Sequence, residues 1–370
     1  MSKFNLVIAD SEEAYVDALS NYIVCNYPEK FNIVTFTEKK LLIDYIDKSN
    51  GIRNIILFSN EFYCEEFYSQ EDLILINLVE NSKKNKDSNI NSIYKYQVGN
   101  KIVKNIFNII AEGNLELSNI NDSFENKTKV ISVFSPNGGA GKTSIAVGSS
   151  MIASDRGKKV FYLNLETLQS TPLFFNCDSA TSFSEVIYYM KEKKKNLSIK
   201  IEAIANRDSI NKIHFFAPPE SSIDLKSSSV EEITLLLEKL KDLSQYDVIV
   251  IDMSSDLNDQ NLSILAESNE IFLVVEQNKT SIEKLNSFIK DIEIISSRRD
   301  VRILEKTNVI LNKYDPKNKL ILDYLKSKNI SLSFSLPKSM DMFLKEEDGV
   351  RINPNSLFAS KLWDLVDLII

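Results

Sequence analysis

Lys129–Val147 reads KVISVFSPNGGAGKTSIAV, an apolar run that gives way to a glycine cluster closed by Gly141-Lys142-Thr143 and then to a helix-forming segment. Gly138, Gly139 and Gly141 let the backbone curl tightly enough for successive N–H groups to face phosphate oxygens. The helix that follows adds the positive end of its dipole. The expected cradle is therefore Asn137, Gly138, Gly139, Ala140, Gly141, Lys142, Thr143 and Ser144. Lys142 has the reach to contact β- and γ-phosphates as a point charge, which makes it both a binding and a catalytic candidate. The Thr143 hydroxyl is placed to coordinate Mg²⁺.

Outward from this loop, apolar runs recur toward the C-terminus. KKVFYLNLE (158–166), IHFFAPP (213–219), YDVIVIDMS (246–254), EIFLVVEQ (270–277), TNVILNK (307–313) and SLSFSLP (331–337) read as strands with helical stretches between most of them. Strands this continuously apolar are buried on both faces. The right-handed crossover rule then predicts a doubly wound α/β fold with its ligand crevice at the strands' carboxyl ends. YDVIVID ends in Asp252, a second candidate metal ligand that would hold Mg²⁺ through water or orient the Thr143 hydroxyl. KKVFYLNLE ends in Asn164-Leu165-Glu166. Alternate residues at a strand end share a face, so Asn164 and Glu166 are candidates to address the γ-phosphate. An asparagine can orient water but cannot take its proton, whereas Glu166 keeps a carboxylate.

The usual phosphate loop has glycine at the position of Pro136. Gly-Gly followed by x-Gly-Lys-Thr resembles instead the deviant Walker A of the MinD and ParA family of ATPases. The resemblance implies ATP with Mg²⁺ as ligands. In that family a lysine before the paired glycines reaches across a dimer, and this chain has Asn137 there. The family's Asp-x-Asp is here Asn164-Leu165-Glu166. Lys142, Thr143 and Asp252 are kept while two chemical positions have changed, so binding with slow or absent hydrolysis is expected. The family also places an asparagine where Asn312 stands, with Lys313 beside it, to read the adenine edge, and a proline-containing loop where Pro337-Lys338 stands. Asn312-Lys313-Tyr314-Asp315 also spells the Asn-Lys-x-Asp of GTPases; the order of the other motifs favours ATP.

Residues 112–127, EGNLELSNINDSFENK, hold no hydrophobic period and read as a linker between a domain at 1–111 and a domain at 128–370. In the first domain FNLVIAD, FNIVTFT, RNIILFS, LILINLV and SIYKYQV (92–98) read as strands. Helices are expected at 14–27, 39–47 and 101–111, giving a small parallel sheet covered on both faces. The order resembles a receiver domain, with Asp10 after the first strand and Lys95 in the last. The place of the phosphoacceptor aspartate is taken by Ser59, so acyl-phosphate chemistry is not expected and a docking or dimerisation module is.

The 370 residues are long enough for two cores, with 43% hydrophobic and 26% charged content. No run approaches the ~20 apolar residues of a membrane span, and MSKFNLVIADSEE turns acidic before a signal core develops, so a cytoplasmic protein is expected. Cys25, Cys64 and Cys177 lack metal-ligand or redox spacing and read as buried or half-buried thiols. A net charge of −8 argues against a nucleic-acid coat. The Lys191–Lys195 run and Arg298-Arg299 read as solvated, and His214 as structural. The C-terminal SLFASKLWDLVDLII has Lys361 against Asp364 and Asp367 on its polar side, which fits a packing helix better than a membrane-surface anchor. Nearly the whole chain resembles the TadZ/CpaE family of Flp (Tad) pilus assembly. That resemblance implies a homodimer that marks a site, often a cell pole, for pilus or secretion machinery, with at most peripheral membrane association and no specific nucleic acid. A partitioning or positioning ATPase acting on DNA or membrane is the alternative.

Overall fold

The computed structural model describes residues 3–49, 54–65, 67, 73–80, 91–113, 128–177, 181–243, 245–299, 301–318, 320–328 and 330–369. The chain divides into two compact units, Met1–Phe124 together with Lys195–Ala203, and Glu125–Lys194 together with Ile204–Ile370. Within the expected linker, Glu112 ends a helix and 114–127 lie outside the described residues.

The first unit runs β1 (Phe4–Ala9), α1 (Glu13–Asn26), β2 (Phe31–Phe36), α2 (Lys39–Lys48), β3 (Asn54–Ser59), β4 (Leu73–Val79), β5 (Asn91–Tyr94) and α3 (Gly99–Glu112). Its strands are all parallel in the order β2-β1-β3-β4-β5. Val7 and Ala9 of β1 join Leu42 and Ile46 of α2 in one core layer. Leu6 and Ile8 are equally buried and, by the period of two, serve the opposite face. Of the strand expected at 92–98 only the first part forms. After Tyr94 the chain turns, with the Gln97 N–H bonded to the Lys95 carbonyl. Cys25 on α1 is exposed, not buried or half-buried, because α1 buries Val16, Leu19 and Ile23 on another face; Cys64 and Cys177 are half-buried.

The second segment of the chain runs β6 (Lys129–Phe134), α4 (Lys142–Asp155), β7 (Val160–Asn164), α5 (Phe183–Lys191), α6 (Leu197–Ile204), β8 (Asn206–Arg207), β9 (His214–Phe215), α7 (Ser222–Lys226), α8 (Val230–Asp242), β10 (Val248–Asp252), α9 (Asp259–Glu267) and β11 (Glu270–Val275). It continues through α10 (Lys279–Arg299), β12 (Thr307–Tyr314), α11 (Leu320–Ser327), β13 (Leu332–Pro337), β14 (Phe343–Glu346), β15 (Gly349–Ile352) and α12 (Leu357–Ile369). All of α6 but its last residue clusters with the first unit, where Lys200 Nζ donates to Asn108 Oδ1 at 2.9 Å and Glu202 pairs with Lys30.

Eight strands form the second unit's sheet in the order β13-β12-β11-β6-β10-β7-β9-β8, parallel except for the edge strand β8. The central strands β6, β7, β10 and β11 are buried almost throughout, which is why they read as continuous apolar runs. IHFFAPP supplies only the two strand residues of β9; His214 is half-buried, its ring edge-on to Tyr246. α12 packs into the core through Phe358, Leu362, Leu365 and Val366. It lies so close to α4 that a Cβ on Gly148 would sit 2.7 Å from Leu362 Cδ2. Lys191–Lys195 is exposed along its length. Among the described residues no helix is long and apolar enough to cross a membrane.

Candidate functional site

Parallel pairing brings the ends of β6, β7 and β10 together, with Asp252 in register with Asn164 on one side and Val133 on the other. The loop from Pro136 to Gly141 leaves β6 and enters α4 with Gly141 at φ +94°. That backbone favours glycine, and a Cβ would also lie 2.3 Å from Asn312 Nδ2. A Cβ on Gly138 or Gly139 would meet nothing within 4 Å, so the loop's outer side is open to a ligand.

Residues from β12 hold the loop from behind. Asn312 is buried and donates from Nδ2 to the Ala140 carbonyl at 2.8 Å. Lys313 Nζ donates to the Gly139 carbonyl at 2.8 Å and pairs with Glu276. Pro337 ends β13 opposite Tyr314, and Lys338 follows it exposed. Asn137 is buried, its amide donating to Ser281 Oγ on α10. Ser144 is half-buried in the first turn of α4.

Lys142 Nζ donates to Ser255 Oγ at 2.9 Å and lies 3.5 Å from Glu166 Oε1. Thr143 Oγ1 donates to Glu166 Oε2 at 3.3 Å. One carboxylate thus engages both the lysine and the hydroxyl assigned to phosphate and metal. Asn164 is turned the other way. Its Nδ2 donates to Tyr162 Oη at 3.3 Å and Thr171 Oγ1 at 3.2 Å, and its Oδ1 accepts from the Glu166 N–H at 2.8 Å. Of the two strand-end candidates, Glu166 faces Lys142 and Thr143, while Asn164 knits β7 to the loop beyond it.

Asp252 is fully buried. Tyr162 Oη donates to its Oδ2 at 2.9 Å, and Oδ1 has no hydrogen-bond partner. Burial, then repulsion from Glu166, push its carboxyl up to about 7 against opposing bonds from Thr143 and Tyr162. A buried carboxylate oxygen without a donor, beside a threonine hydroxyl and a second carboxylate, is an oxygen set suited to Mg²⁺. Thr143 and Asp252 are the residues that would hold it, and its charge would help neutralise bound phosphates. Ser255, Tyr162, Thr171 and Ser281 are site residues that no spacing rule singles out. The only sequence signal for Ser255 is its place just beyond the strand that ends at Asp252. From the same two strand ends, a cleft of about 280 Å³ opens between Leu165, Thr167, Ser254, Asp256 and Asn261.

The first unit has its own buried carboxylate. Lys95 Nζ lies 2.9 Å from Asp10 Oδ2, 3.0 Å from Asp10 Oδ1 and 2.9 Å from Glu12 Oε2, with the Tyr15 and Tyr96 ring centroids 4.8 and 5.4 Å away. Burial opposes the ammonium's charge, but hydrogen bonds to Asp10 and Glu12 outweigh it and raise the lysine above its ordinary value. Ser59 ends β3, its Oγ buried and without a partner.

Residues 128–305 match the family model described as an AAA domain. No curated protein matches the chain. Among solved structures it is similar to a ParA family ATPase from Chlorobium tepidum, at 17% identity and a TM-score of 0.54, over 65% of this chain and 99% of that one. It is also similar to the septum site-determining protein MinD, complexed with Mg-ADP, from Pyrococcus horikoshii, at 16% identity and a TM-score of 0.51, over 65% and 96%. The C-terminal part of this chain thus matches an AAA domain over residues 128–305 and shares the fold of these ATPases, and it is preceded in sequence by a parallel α/β domain.

Proposed function

We propose that this protein is an ATP–Mg²⁺-binding localisation and assembly factor of the TadZ/CpaE kind, serving Flp (Tad) pilus or related secretion machinery as a homodimer in the cytoplasm, often at a cell pole. The observation that carries this reading is the pairing of a phosphate-loop unit, with its donor set around Asp252, and a receiver-like unit whose carboxylate is already neutralised. Lys95 forms an ion pair with Asp10, and Ser59 cannot form an acyl phosphate. A scaffold held by nucleotide fits this combination better than a phosphotransfer switch. Hydrolysis is slow or absent on this reading. Glu166 contacts both Lys142 and Thr143, and Asn164 spends its amide within its own strand and loop. Bound γ-phosphate would shift a conformational equilibrium by its differential contacts with the two states.

Calorimetry with ATP and with GTP in the presence of Mg²⁺, a turnover assay on the same sample and Lys142→Ala as control test this. Tight ATP binding with little phosphate release is expected. A preference for GTP, or binding that survives Lys142→Ala, overturns the nucleotide assignment. Salt-sensitive binding to nonspecific duplex would favour a partition ATPase instead.

A further inference from the structure

Among the described residues, three ammonium groups approach the phosphate loop. Lys142 is engaged by Ser255 and Glu166, and Lys313 is neutralised by Glu276. Lys284, on the exposed side of α10, donates to the Pro136 carbonyl at 3.2 Å, and no ion pair holds it among the described residues. Among the described residues this exposed cation, at the loop's first residue, is therefore bonded to nothing stronger than a neutral carbonyl.

Its placement follows from Asn137. Ser281, which accepts the Asn137 amide, lies one turn before Lys284 on the same face of α10. The Ser281 N–H is bonded in turn to Asn278 Oδ1 at 2.8 Å, at the start of the helix. Asn137 and Ser281 are both buried, so the seam that sets the distance between loop and helix is shielded from water.

We propose that Lys284 is a second phosphate-binding cation of the nucleotide site, supplied by the same chain, and that Asn137 is the residue that positions it. This rests on the ATP–Mg²⁺ reading above. The lysine's flexible stem lets it leave the Pro136 carbonyl for an anionic phosphate oxygen, and a charge-assisted bond is the stronger of the two. The backbone of the glycine turn serves phosphates common to ATP and ADP. An added cation at the loop's first residue therefore acts most on the terminal phosphate, which ATP alone carries. The charge of the triphosphate is then balanced within one chain.

The test is calorimetry of the full-length protein with ATP and with ADP, each with Mg²⁺, for the natural protein, Lys284→Ala, Lys284→Arg, Asn137→Ala, the Lys284→Ala/Asn137→Ala double variant and Lys142→Ala. Lys284→Ala is expected to weaken ATP about tenfold while ADP changes less than about twofold. Lys284→Arg should keep the preference for ATP, Asn137→Ala should lose part of it, and the double variant should be no worse than Lys284→Ala. Equal weakening of both nucleotides, which a purely structural bond to Pro136 would give, overturns the proposal, as does an unchanged ATP/ADP ratio. If the natural protein binds and Lys142→Ala does not, either result refutes the role of Lys284 alone. If the natural protein binds no nucleotide, the ATP reading falls and takes this one with it.

Discussion

Replacing Asp252 by asparagine should make the protein more stable at neutral pH without ligand. The carboxyl is fully buried, one of its oxygens has no donor, and burial with Glu166 nearby raises it from 3.8 to about 7. A folded-state value above the unfolded one means that the native state binds the extra proton across that interval. Stability attributable to this group is therefore complete below about pH 4, falls as pH rises, and levels off above about 7. Each unit costs about 1.4 kcal/mol, so the interval amounts to about 4 kcal/mol as an upper figure. Urea unfolding of the natural protein and Asp252→Asn from pH 4.5 to 8, without nucleotide or metal, checks this. The stability difference should grow in the variant's favour up to about pH 7 and then stay level. Mg²⁺ with nucleotide should reverse the order, since only the carboxylate gives an ion a charged ligand. A difference independent of pH would show that Asp252 is ionised throughout and would refute the reasoning.

Gly141→Ala sets a Cβ against the Asn312 amide in a left-handed backbone and should cost more than about 1 kcal/mol while abolishing ATP affinity, read by urea melts and calorimetry. Leu362→Ala opens a cavity between α12 and α4 and should cost about 2–5 kcal/mol in the same melts. Lys95→Met leaves Asp10 buried without its cation and should cost about 3–5 kcal/mol in the first unit, read by hydrogen exchange of β1 and β3 amides, with nucleotide affinity unchanged.

The phosphate loop was legible because two independent demands meet in it, a strand buried on both faces and a turn that needs glycine at positive φ. The same burial made β7, β10, β11 and β12 readable. The edge strand β8 was not, and of the strand read at 213–219 only His214 and Phe215 form β9, because these two short strands are held by tertiary neighbours rather than by their own period. The β14–β15 hairpin did carry a signal, Asp348 in its two-residue turn followed by Gly349 at the start of β15, which the alternation around it is too short to amplify. At the site, strand alternation placed Asn164 and Glu166 on one side, but Asn164 is the last residue of β7 and Glu166 lies beyond it. Where the asparagine points is decided by Thr171 and Tyr162, and no spacing rule joins those residues. Ser281 is similarly remote from Asn137 in sequence.

The Lys95–Asp10 pair has a consequence for what the first unit can transmit. A signalling module needs two wells of similar depth and an outside agent that tilts them. Here the counter-ion is covalently part of the chain, caged by two aromatic rings, and present at fixed stoichiometry whatever the medium contains. With that cation in place, chelators, divalent salts and phosphodonors are expected to leave the unit's shape unchanged, and hydrogen exchange with and without Mg²⁺ checks this. On the scaffold reading proposed above, such a unit would supply geometry rather than information, a surface of constant shape whether or not nucleotide is bound.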